Sequence, residues 1–156
     1  MLVRGVKANR RDRFQPLLPY PNSALQCDLT RAREAWRESR RQHDRYSVYK
    51  YLTAVFDLVT VWQKENWAID RAKRALRLKG RAGADVIEPF AAVINCTSSR
   101  KKVDAKARSK WARALIFAAK YKSPAESVKH FIRHHGGINS CATKLSRLSR
   151  TQAPRP

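Results

Sequence analysis

Acidic side chains are scarce in this sequence. Its 156 residues carry 12 Asp and Glu against 34 Lys and Arg, a formal net charge of +22. The acids are scattered, so no clustered carboxylates offer themselves for two-metal or general acid–base chemistry. Glycine is thin as well, at 5 residues, and no glycine-rich phosphate loop follows a strand-like run. The three cysteines, Cys27, Cys96 and Cys141, show no CxxC spacing. Their number and placement exclude a disulfide framework and suit a reducing compartment. No apolar run approaches the ~18 residues of a transmembrane helix. No basic helix keeps a large unbroken apolar face for lying on a membrane either. These absences point away from an enzyme, from a bound cofactor and from a membrane partner.

What is present is a large apolar fraction under a strongly basic surface. Hydrophobic residues make up 43% of the chain, with four Trp, enough for a packed core. The charge is uneven. Residues 1–45 have a net charge of +6, residues 46–100 of +4, and residues 101–156 of +12, the last third holding only Asp104 and Glu126 as acids. Such a surplus repels itself and is usually kept for an anionic partner.

The opening stretch, Met1 to Pro21, lacks the apolar core of a secretory signal, which points to an intracellular protein of the cytoplasm, nucleoid or nucleus. Its arginines leave an organellar transit segment open. Residues 1–27 read as a basic, largely unstructured arm, and residues 151–156 as a flexible tail.

Between them the pattern is helical, and the expected fold is all-α. Asp28 or Thr30 can cap a charged helix running to about Tyr46, whose few apolar residues include Ala32 and Trp36. Val48, Val55, Trp62, Ile69 and Leu76 recur every seven residues, with Leu52 and Val59 in the alternate row. That pattern predicts one long central helix over 47–79, about 50 Å in length. The alternate row fails at Asn66 and Lys73, which favours intramolecular packing over a homodimer seam through residues 48–76. Asp85 and Glu88 form a capping-box pattern that opens a short apolar helix to about Cys96. The helical N-terminal region is therefore expected to span 28–100, and a C-terminal trihelical module 101–150.

In that module Asp104 caps a helix over about 105–122, at the centre of the fold. Ser123-Pro124-Ala125-Glu126 reads as the start of the next, presenting Val128, Phe131, Ile132 and His135 inward. Gly136-Gly137 ends it, and a last helix follows at about 139–149 with Ile138, Cys141, Ala142, Leu145 and Leu148 inward. Two short helices joined by a glycine turn and leaning on a third form a helix-turn-helix-like arrangement.

The opposite face of the last helix shows Asn139, Ser140, Thr143, Lys144, Arg147 and Arg150, with no acid. Asn can pair with adenine, Arg and Lys with guanine, and Ser, Thr or Lys with phosphate. Lys129 and Arg133 on the preceding helix, and Lys101 and Lys102 before the module, are placed for phosphate contacts, as are Lys106 and Lys110. The implied partner is nucleic acid, duplex DNA ahead of RNA, in a regulatory or DNA-maintenance role. A ribonucleoprotein component, bound through the arm and tail, and a helical protein-interaction module are the alternatives. His130 and His134 are four apart with Cys141 nearby, but a fourth ligand is missing, so they read as phosphate-facing or capping histidines and not as a metal site. Trp67, if exposed, could stack on unpaired bases.

Overall fold

A proline opens the first helix. The computed structural model describes residues 20–81 and 87–152. Pro21, with extended backbone at φ −69° and ψ 150°, stands just before α1 (Asn22–Arg41). This helix starts six residues ahead of the expected cap at Asp28, so residues 22–27 of the supposed arm are helical; residues 1–19 lie outside the described residues. Asp28 is instead committed to tertiary bonds. Its carboxylate accepts from the Tyr20 hydroxyl and, at 3.2 Å, from Trp62 Nε1. Leu25, Leu29, Ala32 and Trp36 make the buried stripe, at spacings of four, three and four.

The single long helix expected over 47–79 is two helices, α2 (Val48–Lys64) and α3 (Ala68–Leu78). The break is a left-handed cap. Asn66 takes φ +60°, and the Trp67 amide reaches back to the Trp62 carbonyl at 2.9 Å. Asn is one of the few residues that enters this region at low cost, so it ends a helix where glycine is absent. The turn changes the phase of the apolar stripe. Leu52, Val55, Val59 and Trp62 are fully buried as expected, but Ile69, next in the heptad, is 57% exposed, and α3 buries Ala68, Ala72, Ala75 and Leu76. The apolar face of α2 is thus consumed within the chain.

Several α3 cations serve packing as well as the helix dipole. Arg71 is buried, pairs with Glu65 and lies 3.7 Å over the Tyr20 ring. Arg74 donates to the Tyr20 carbonyl at 2.6 Å and to Asn22 Oδ1 at 2.7 Å.

In α4 (Pro89–Thr97), Glu88 is itself the cap, accepting from the amides of Phe90 at 3.0 Å and Ala91 at 2.6 Å, with Pro89 in the first turn. Asp85, the expected cap, lies outside the described residues. Asp104 caps α5 (Ala105–Tyr121) as expected, accepting from the Ala107 amide at 2.7 Å. The next helix starts later than its proline suggests. Ser127 caps α6 (Val128–His134), accepting from the His130 amide at 3.1 Å. Ser123 to Glu126 form a turn instead, whose carbonyls at Ser123 and Glu126 accept from the Lys122 ammonium at 2.9 and 2.8 Å.

Gly136 and Gly137, at φ +92° and +96°, lead into α7 (Ile138–Gln152). The Gly137 amide donates to the Ile132 carbonyl at 2.8 Å. A Cβ on Gly136 would sit 2.9 Å from Ser140 Oγ, so both the torsion and the space require glycine there.

Seven helices and no strand make up the regular structure of the described residues. Helices α2 and α5 occupy the middle, α1, α3 and α4 pack on one side, and α6 and α7 on the other. One apolar cluster runs through all of them, from Leu25 to Leu145. The stretch around Leu115, Phe117 and Ala118 of α5 is buried at its centre.

Candidate nucleic-acid interface

Helix α7 packs chiefly on α5 and meets α6 only around the glycine turn. Cys141, Ala142 and Leu145 are buried beneath it, with Ile138 and Leu148 half-buried at its margins. Small side chains at 141 and 142 let the two backbones approach closely. The Cys141 thiol donates to the Ile132 carbonyl at 3.8 Å, and burial pushes it above its ordinary range, the opposite of what a nucleophile needs.

The stripe opposite the core presents Asn139, Thr143, Arg147 and Arg150, all exposed. They are spaced four, four and three apart, so they share one face along about 16 Å of helix. No acid occurs anywhere in α7. The Thr143 hydroxyl donates to the Asn139 carbonyl at 2.9 Å, which leaves its methyl and its lone pairs facing outward.

Two residues predicted for this face are partly withdrawn from it. Ser140 is half-buried against Gly136. Lys144 bends toward the turn, donating to the His135 carbonyl at 3.2 Å with His135 Nδ1 at 3.5 Å. The last carbonyls of α6 lack helical partners, and a lysine nearly two turns into α7 reaches back to satisfy one of them.

On α6, Lys129 and Arg133 are exposed as expected, but they are not isolated. Their cationic groups lie 5.7 and 4.6 Å from the centre of the Tyr46 ring, and Arg45 lies at 6.0 Å. Tyr46 is 37% exposed and stacks on Tyr49, with ring centres 6.4 Å apart. Burial raises the Tyr49 phenol, against the pull of Arg133 and Arg45. Arg45 and Tyr46 therefore join the basic surface of α6, although sequence reasoning gave them no role. Nothing local marks them, because more than 80 residues separate them from Arg133 and only the packing of α6 on α2 brings them together.

His130 and His134 stack at 6.0 Å, and His130 Nδ1 meets Glu126 Oε1 at 2.7 Å. His135 packs against Phe131 and Phe117, with ring centres 4.3 and 5.5 Å away. Among the described residues no three His, Cys, Asp or Glu side chains come together as a metal site. Lys101 and Lys102 are exposed in the connection from α4 to α5. Lys102 borders a cleft of about 500 Å³ together with Trp36, Arg40, His43 and Trp111, away from the exposed stripe of α7. Trp67 is 39% exposed, at the break between α2 and α3. No described helix is long and apolar enough to cross a membrane.

The chain matches no protein-family model, no curated protein and no solved structure. A functional reading therefore stands on the geometry and chemistry of these residues alone.

Proposed function

We propose that the protein binds duplex DNA through α6 and α7, with α7 entering the major groove. One observation carries the reading: α7 offers an exposed stripe of Asn139, Thr143, Arg147 and Arg150 from a helix without a carboxylate. Amide and guanidinium groups match the hydrogen-bonding edges of adenine and guanine, and a threonine methyl suits thymine. Lys129 and Arg133, exposed on α6, would hold flanking phosphates, giving affinity without sequence preference. The tight glycine turn and the packing of both helices on α5 fit a trihelical DNA-binding module. Its role would be regulatory or in DNA maintenance, inside the cell, without catalysis.

Competition between a duplex and a structured RNA of equal length tests this. Duplex should be preferred, and Arg147→Ala with Arg150→Ala should weaken duplex binding about thirtyfold or more, by about 1–3 kcal/mol for each arginine–base pairing removed. Tyr46 favours a second reading. An exposed ring ringed by Arg45, Lys129 and Arg133 is also what an unpaired base would stack on. If RNA wins the competition and Tyr46→Ala abolishes its binding, that reading replaces the first.

A further inference from the structure

The C-terminal end of α4 gathers five cations from four segments of the chain. Arg33 of α1 donates through Nε to the Cys96 carbonyl at 3.4 Å, and Arg81, just beyond α3, donates to the Asn95 carbonyl. Those two bonds serve the unpaired carbonyls and negative dipole of a helix end. Two hydroxyls serve carbonyls of the preceding turn. Thr97 and Ser98 hydroxyls donate to Val93 and Ile94 at 2.7 Å each. Lys79, Arg100 and Arg108 donate to none of these carbonyls.

Chain position holds Lys79 and Arg100 there, Lys79 two residues before Arg81 and Arg100 two residues past Ser98 at the end of α4. Burial, then the charges of Arg33 and Arg81, hold the Lys79 ammonium below its ordinary value. Burial, then Arg100 and Arg108, act on Arg81 in the same direction. The Cys96 thiol, pushed up by burial, feels Arg81, Lys79, Arg33 and Arg100. Among the described residues no carboxylate ranks with the charges acting on these three groups.

Arg108 adds an independent sign. Its Nε and Nη1 are buried and hydrogen-bond to nothing among the described residues. A guanidinium left this way is costly unless an acceptor arrives. It lines a cleft of about 350 Å³ between α4 and α5, with Asn95, Ser109 and Arg113. Arg113 is already engaged, donating to Ser146 Oγ at 2.9 Å. Glu88, the one carboxylate in the wall, caps the far end of α4, about 12 Å away along the helix.

We propose that Arg81, Arg100, Arg108 and Lys79 form a phosphate-binding site at the end of α4, separate from the α7 surface. Helix α7 packs on α5 and α6 and meets neither α1, α3 nor α4, and its one bond to the cleft wall, Arg113 to Ser146, involves none of the four exposed residues of its outer stripe. The site takes a phosphate group, either a phosphodiester of a nucleic-acid strand or the phosphate of a small molecule.

The test uses the full chain and inorganic pyrophosphate at constant ionic strength, read by calorimetric titration and by thermal melting. Arg100→Gln, at an exposed position, and Arg108→Gln should each weaken pyrophosphate binding roughly tenfold or more. Arg147→Ala with Arg150→Ala should leave it unchanged. Without pyrophosphate both Gln variants should melt at or above the parent temperature, since each relieves repulsion. Equal pyrophosphate affinity in parent and Gln variants overturns the site. So does a loss of stability in both variants, which would assign the cluster to the fold.

A duplex-binding arm then separates the sources. Weakening of duplex binding by Arg100→Gln identifies a phosphodiester backbone, whereas loss of pyrophosphate binding alone identifies a small phosphate ligand. Failure of the α7 substitutions to affect duplex binding would sink the α7 reading and leave the pyrophosphate result standing.

Discussion

Helices α1 and α7 are built on the same plan and used differently. Each buries one narrow stripe, Leu25–Leu29–Ala32–Trp36 in α1 and Cys141–Ala142–Leu145 in α7, beneath a strongly basic outer side. Part of the polar side of α1 is spent inside the molecule, and its exposed arginines share the helix surface with Glu34 and Glu38. Asp28 holds Tyr20 and Trp62, Arg33 caps α4, and Glu38 meets Arg41 at 3.7 Å. The hydroxyls of α7 mostly turn back onto their own helix, as Ser146 and Ser149 do at 3.1 Å each, while Arg147 and Arg150 remain exposed with no carboxylate near them in the helix. A basic helix is thus no sign of binding by itself. The sign is whether its exposed cations have carboxylates beside them, as in α1, or none, as in α7. Substitutions in α1 should therefore cost stability, and those in α7 should cost binding.

The largest effect should come where the two consequences meet, at the glycine turn. Gly136→Val forces a β-branched residue to φ +92° and against Ser140. It should destabilise by about 3 kcal/mol and misorient α7, so thermal melting and duplex binding fall together. Gly137→Ala meets no atom within 4 Å and should cost only the torsion, about 1–2 kcal/mol. Equal losses at the two positions would show that Ser140 does not constrain the turn.

Asp28→Ala should come next and touch only one side of the comparison. It strips the acceptor from Trp62 Nε1 and from the Tyr20 hydroxyl, lowering stability by about 1–3 kcal/mol in urea unfolding. Duplex affinity per folded molecule should be unchanged. A fall in affinity at full folding would mean that α1 shapes the interface after all.

Much of this division was legible in the residues, and the failures have physical causes. Asp104 and Gly136-Gly137 announce their caps because one side chain or one torsion settles each. The α2–α3 break was hidden because Asn66 looks like a lapse in an apolar repeat. Its left-handed torsion is what changes the phase and leaves Ile69 outside. Ser123-Pro124 misled because Lys122 can satisfy the turn's carbonyls, so the helix need not start at the proline. Of the candidate interface, Asn139, Thr143, Arg147 and Arg150 followed from helical spacing. The withdrawal of Lys144 did not, because it depends on where the end of α6 falls. Arg45 and Tyr46, like the cations at the end of α4, are assembled from distant segments, and no local pattern records that.

A smaller effect should appear at high pH. Burial, then the bond to Asp28, raises the Tyr20 phenol to about 12, and burial does the same for Tyr51 against its bond to Thr97. Both hold their protons in the fold after the unfolded chain, near pH 10, has begun to lose them. The unfolded state therefore binds fewer protons, and stability should fall between about pH 10 and 12. Tyr51→Phe should flatten part of that fall in melts at stepped pH, and an unchanged slope would remove Tyr51 from the account.

The salt dependence of duplex binding bears most directly on the claim that α7 is presented and α1 is not. Each phosphate contact contributes about 0.9 to the slope of log affinity against log salt. Anisotropy titrations over a salt series should give Arg147→Ala with Arg150→Ala a weaker affinity at every salt concentration, and Lys129→Ala with Arg133→Ala a slope shallower by up to about 2. Arg37→Ala with Arg41→Ala on α1 should match the parent chain. Identical affinities for the parent and the α7 variant, or an equal change from the α1 variant, would contradict the account.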